Sequence, residues 1–174
     1  YREFAVRPLP KRGSGRKITV VSAAAGSVPR GAITNLQAAV DAAKDGDTIL
    51  VGEGVWDPIV SDNKLIDIVA TGAREATVID GRNKRRAATL TQKPWGDMAF
   101  QTNTLLRGFT IRGGNAAGDA FRPDLGGGAL GGTLVDCVII GNVASYGGGA
   151  AYANLFDSEL VRNRADRNGG GAAH

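Results

Sequence analysis

The sequence predicts an all-β solenoid, a stack of coils begun by one short α-helix. Three observations carry this. First, two segments repeat near the end of the 174-residue chain, TLVDCVIIGNVASYGGGAAYA from Thr133 to Ala153 and NLFDSELVRNRADRNGGGAAH from Asn154 to His174. Leu134 matches Leu155, Asp136 matches Asp157, Ile139 matches Leu160 and Asn142 matches Asn163, each 21 residues apart. A period of this size marks coils that bury their apolar faces only against one another. Second, the chain holds 26 glycines, concentrated after residue 107 at fixed offsets, the pattern of turns rather than of disorder. Third, short β-branched runs follow a single helix, and no second helix interrupts them as a doubly wound α/β sheet would require.

Residues 1–16 read as an extended basic arm, with Pro8, Pro10, Gly13 and Gly15 and no long periodicity. Tyr1, Phe4, Val6 and Leu9 give the arm apolar content that has no place in the repeat, so they are its candidate assembly contacts. The rest, 17–174, reads as one β domain. Residues 17–22 form a first β-rich run. Thr34 to Lys44 is an amphipathic helix with Leu36, Ala39, Val40 and Ala43 on one face; Thr34 and Gln37 fit a capping box. Asp45 and Asp47 flank Gly46 as turn chemistry before the next strand. Strands follow over 47–51, 65–69, 77–79, 87–90, 105–111 and 134–140, separated by Gly or Asp-Gly turns.

The repeat extends backward with an insertion. Ile111 aligns with Ile139, Phe109 with Cys137, Asn115 with Asn142, and the glycines 126–128 with 147–149. The excess lies in 116–125, read as a projecting loop, and Trp95 lies in a second projection. Alternation along a strand then gives two inward columns, Phe109–Cys137–Ser158 and Ile111–Ile139–Leu160. Asn115, Asn142 and Asn163 would form a ladder of amides at a turn.

The stretch ITNLQAAVDAAKDGDTILVGEGVW resembles the start of right-handed parallel β-helix proteins of the pectin-lyase-like group, in which a helix caps the first coil. ATVIDG, GFTIRGGN and the IIGN…GGGA and LVRN…GGGA repeats are similar to parallel β-helix repeats of secreted and surface bacterial proteins, including autotransporter passengers. The resemblance covers about 17–174. It implies a right-handed parallel β-helix with an N-terminal capping helix over about 34–44. It implies little about activity, because one such framework hosts lyases, hydrolases, adhesins and structural proteins.

Composition narrows the function. The net charge of +4 comes from the first 17 residues, where six basic residues face only Glu3, so the body is close to neutral. That is no nucleic-acid footprint, which would place basic residues on a folded face among aromatics. No apolar run is long enough for a membrane span. Cys137 is the sole cysteine and His174 the sole histidine. No cofactor or metal set is expected. Asp136 and Asp157 would stack one coil apart, either as an acid or calcium pair or as repeated turn residues. The run Arg82-Asn83-Lys84-Arg85-Arg86 is either a patch for cell-surface acidic glycans or a solvated loop. Phe121 and Trp95 are either loop packing or sugar platforms. The chain begins at Tyr1, which fits a removed leader or a fragment, and hence a secreted or cell-surface location.

The sequence offers a helix to cover the first coil and no closing segment for the last. The leading expectation is therefore a non-catalytic extracellular subunit whose partner is itself, stacked head-to-tail into a filament or a longer β-helix. The alternatives are a polysaccharide lyase or hydrolase on the same fold, and a glycan-binding adhesin module.

Overall fold

The computed structural model describes residues 11–22, 30–92 and 103–173. Its strands run parallel in three main sheets that the chain visits in turn, so that each rung adds one strand to each sheet. Strand β1 (Lys17–Val20) and helix α1 (Leu36–Ala42) precede the first full rung. That rung holds β2 (Thr48–Val51), β3 (Gly54–Trp56) and β4 (Ile59–Val60). The second holds β5 (Asp67–Ala70), β6 (Thr77–Asp80) and β7 (Ala88–Thr89). The third holds β8 (Leu105–Arg107), β9 (Thr110–Arg112) and β10 (Ala129–Leu130). The fourth holds β11 (Thr133–Val135), β12 (Val138–Ile140), β13 (Val143–Tyr146) and β14 (Ala150–Ala151). The fifth repeats it with β15 (Asn154–Phe156), β16 (Glu159–Val161), β17 (Arg164–Asn168) and β18 (Ala172–Ala173).

The register sets which side chains form the core. In the first sheet Ile18, Ile49, Ile68, Leu106, Leu134 and Leu155 stand in one column. In the second, Trp56, Ile79, Ile111, Ile139 and Leu160 do so. In the third the column is Ile59, Ala88, Ala129, Ala150 and Ala172. Large side chains from two sheets thus meet small ones from the third, which fills the interior without overpacking. The spacing from Ile49 through Leu155 runs 19, 38, 28 and 21 residues. The period varies because whole loops are inserted at corners while the strands keep their register.

Two elements differ from expectation in instructive ways. The runs 105–111 and 134–140 are each two strands, because Gly108 and Asp136 adopt positive φ and turn the chain from the first sheet into the second. The helix is shorter than 34–44, and Asn35 rather than Thr34 caps it, its side chain accepting from the Ala38 amide at 2.9 Å. Gln37 makes no capping box. Its amide instead pairs with both backbone groups of Val60, accepting at 2.7 Å and donating at 3.0 Å, and so ties the helix to the edge of β4. Lys64 donates to the Val40, Asp41 and Ala43 carbonyls at the other end. Leu36, Ala39, Val40 and Ala43 are buried in the core that the first rungs share. A helix this short depends on such tertiary contacts.

Candidate functional site

The position shared by Asp136 and Asp157 is a corner. Gly108, Asp136 and Asp157 have φ of 76°, 50° and 48°, one above the other at the turn between the first and second sheets. Left-handed backbone there favours Gly and, among other residues, Asn and Asp. Residue choice in this column follows from conformation. Asp136 is moreover engaged by Arg74 Nη1 at 3.0 Å, while Arg74 Nη2 donates to Glu159 at 2.5 Å and Nε to Glu75 at 3.0 Å. The Glu159 bond, then the Glu75 bond, hold the guanidinium above its ordinary pKa. Arg74 is a clasp that reaches from the second rung to the fifth along the outside. Among the described residues no three His, Cys, Asp or Glu side chains converge as metal ligands.

The basic run 82–86 is divided by the fold. Arg82 pairs with Asp57 at 2.8 Å, and Lys84 and Arg85 are exposed beside a shallow groove that includes Pro58 and Gly118. Arg86 turns inward and is fully buried. Its Nε donates to Gly126 at 2.8 Å and Leu125 at 3.1 Å, its Nη2 to Arg122 at 2.5 Å and Leu125 at 2.7 Å, and its Nη1 to Phe121 at 3.1 Å. Burial pulls its pKa down to about 10, against the attraction of Asp119 and Asp124, so the charge persists at neutral pH. Arg86 pins the segment 116–125 over the outer face of the third sheet. That segment therefore covers rather than projects. Phe121 packs there with Tyr146 and Tyr152 against Leu125, Leu130 and Ala151. Trp95 lies outside the described residues, as do Tyr1, Phe4, Val6 and Leu9.

Residues 11–16 lie against the body. Arg12 pairs with Asp67 and donates to the Asn103 carbonyl at 2.7 Å. The Arg16 amide and guanidinium donate to the two oxygens of Asp47 at 2.7 and 2.8 Å. Burial disfavours the Asp47 carboxylate, but the Lys44 amide and Arg16 outweigh it and hold its pKa below the ordinary value.

The second corner is built from Asn and Gly. Asn142 is fully buried, and Asn163 Oδ1 accepts from both its backbone and side-chain N–H at 3.0 Å. Asn142 Oδ1 accepts in turn from the Gly114 amide at 2.7 Å. Gly114, not Asn115, is thus the residue beneath Asn142. Asn115 bridges to Val143 and instead caps a single 3-10 turn, Ala116–Gly118. The expected three-member ladder is a two-member stack over a glycine, because Gly113-Gly114 takes the corner in the third rung. The glycine runs pass so close to this stack that a Cβ on Gly128 would lie 2.8 Å from Asn142 Nδ2. Phe109 and Cys137 are buried in the other column, and burial pushes the Cys137 thiol up to about 11. Ser158 above them is a clamp: its Oγ accepts from the Cys137 amide at 3.1 Å and donates to the Phe156 carbonyl at 2.8 Å. Residue type alone gave no sign of that bond.

The remaining candidate is the outer edge of the fifth rung. β15, β16 and β18 each end a sheet, and β17 closes the two-stranded one. Leu160 is 37% exposed and Phe156 54%, whereas Ile139, beneath Leu160, is wholly buried. Among the described residues no helix is long and apolar enough to cross a membrane. No family model, curated protein or solved structure matches the chain.

Proposed function

We propose that the chain is a non-catalytic structural protein, a right-handed parallel β-helix that joins head-to-tail to a further rung at its 154–173 edge, forming an extracellular or cell-surface filament or longer β-helix. The observation that carries this reading is the exposed edge of the fifth rung. It keeps the register of the rungs beneath it while Leu160, above the buried Ile139, is exposed. Parallel strands are ordinarily buried, and an open edge with apolar side chains is a template for another strand. At the opposite end α1 packs against β1, β2 and β4. The secreted location rests on the resemblance of the GGGA repeats to those of surface proteins. The corner Asp residues are explained by backbone conformation and give no support to the lyase alternative.

Sedimentation velocity and electron microscopy test the reading. The native chain should associate with rising concentration into elongated particles. Leu160→Lys, a charge set on the edge, should keep it monomeric, and Arg85→Glu, at an exposed site on the second rung away from both ends, should not. A native chain that stays monomeric at high concentration would overturn self-stacking.

A further inference from the structure

The loop between β6 and β7 carries Arg82, Lys84 and Arg85 on a backbone that the fold fixes. The Asn83 amide donates to the Gly113 carbonyl at 2.6 Å, the Lys84 amide to Gly81 at 3.0 Å and the Asn115 amide to Arg85 at 3.0 Å, which ties the loop to the third rung. Arg82 and Asn83 both take left-handed φ, 53° and 56°. In a residue as large as Arg such a conformation persists only where its surroundings impose it. Gly118, from the inserted segment, lies so close to the Lys84 carbonyl that no Cβ would fit there. A merely solvated loop needs none of this. A fixed backbone presents its side chains with less ordering left to do on binding.

The three cations line a groove of about 430 Å³. Asp57 is the one acid on its wall, and Arg82 already holds it at 2.8 Å. Asp119, behind the groove, turns to Arg86 and accepts from its amide at 3.2 Å. Among the described residues neither Lys84 nor Arg85 has a carboxylate partner, and both are exposed. Two adjacent unpaired cations match a doubly charged group. A phosphate monoester carries about two negative charges at neutral pH and three acceptor oxygens. It suits the fork of an Arg with the point charge of a Lys beside it. A carboxylate or a sulfate ester carries one charge only. The walls hold no aromatic ring on which a base could stack, and Pro58 is their one apolar side chain. Asp57, 61% exposed, keeps an oxygen for a hydroxyl. We propose that this groove binds a sugar phosphate, with the phosphate on Lys84 and Arg85 and the sugar hydroxyls toward Asp57. The site lies on the second rung and does not rest on the association reading.

Calorimetric and NMR titration of the full chain with glucose 6-phosphate tests this, at low ionic strength because salt screens exposed charges. The amides of Gly81, Lys84, Arg85 and Gly118 should shift together. Affinity should rise about 10-fold from about pH 5 to about pH 7.5, as the ester, with a second pKa of about 6, gains its second charge. The charged groups that face the groove are Asp57 after β3, Arg82, Lys84 and Arg85 on the loop, and Asp119 and Arg86 behind it. Glucose 6-sulfate, singly charged throughout, separates their titration from that of the ligand. It should bind about 10-fold more weakly at neutral pH and show no rise. Lys84→Gln and Arg85→Gln should each weaken glucose 6-phosphate by about 10-fold with unchanged thermal unfolding, since each removes a charged donor. Arg85→Lys should keep part of the affinity, having the charge without the fork. No shift at the four amides, equal binding of the sulfate, or full affinity in both Gln variants would overturn the proposal. Equal binding of inorganic phosphate would overturn it as well, because the groove would then hold only a small anion.

Discussion

Arg86 holds Gly126 across 40 residues of chain: its buried Nε lies 2.8 Å from the Gly126 carbonyl. The same guanidinium serves the carbonyls of Phe121, Arg122 and Leu125. Arg86→Leu would remove the donor it supplies to the Phe121, Leu125 and Gly126 carbonyls, while the Arg122 carbonyl keeps the Leu125 amide at 3.2 Å. The expected loss is about 3 kcal/mol or more in urea unfolding, since each orphaned buried group costs on the order of 1–3 kcal/mol. Arg86→Lys keeps the charge but has fewer donors and no fork, so its loss should be smaller. Limited proteolysis within 116–125 should rise in both, more in the Leu variant. Unchanged stability and proteolysis in Arg86→Leu would show that the segment holds itself.

The glycine runs separate two causes of intolerance. Gly128 has ordinary φ but no room: a Cβ there would meet the Gly149 carbonyl at 2.5 Å and Asn142 at 2.8 Å. Gly141 has φ of 66° and open space around it. Gly128→Ala should cost about 3 kcal/mol through overpacking. Gly141→Ala should cost only about 1 kcal/mol, the left-handed penalty for one residue. Denaturant midpoints of the two variants decide between them, and equal costs would show that the neighbours of Gly128 give way and that crowding adds little.

How much of this was legible before the structure depends on what each feature repeats. Parallel β-structure and the helix could be read because Leu134 with Leu155 and Leu36 with Val40 recur at fixed spacing. Most of the third sheet was hidden: β7 falls within the expected run 87–90, but β10, β14 and β18 are two residues long and sit inside glycine-alanine runs that read as turns. Asn115 was misaligned by one position because matching by residue type overlooked Gly114 as the corner. Arg86 carried no signal at all: its partners are backbone carbonyls, which any sequence supplies, brought to it by an inserted segment.

The corner column offers a test of conformation against chemistry. Asp157 has φ of 48°, in the place that Gly108 fills two rungs earlier. Asp157→Gly should leave stability within about 0.5 kcal/mol of the native chain, because glycine enters the left-handed region without strain. Asp157→Val should lose about 1–2 kcal/mol, the cost of a side chain crowded against its own carbonyl. Thermal unfolding measures both. If the Gly variant fell as far as the Val variant, the carboxylate itself would matter to the fold.

Asp47 should make the protein sensitive to acid. Its carboxylate is buried at the junction of helix and first rung, where the Arg16 and Lys44 amides and the Arg16 guanidinium donate to it. Its folded pKa is lowered, so the folded state binds a proton less readily than the unfolded chain. The stabilisation is therefore complete above the ordinary aspartate value. It is lost as pH falls through that value toward the lowered folded one. Asp47→Asn replaces one accepting oxygen by an amide that faces donors, and should lose about 1–2 kcal/mol at neutral pH. Because protonation removes the same advantage from the native chain, the gap between native and variant should narrow below about pH 4. Urea unfolding at several pH values from neutrality downward tests this. A gap that stays constant with pH would mean that Asp47 acts by shape and not by charge.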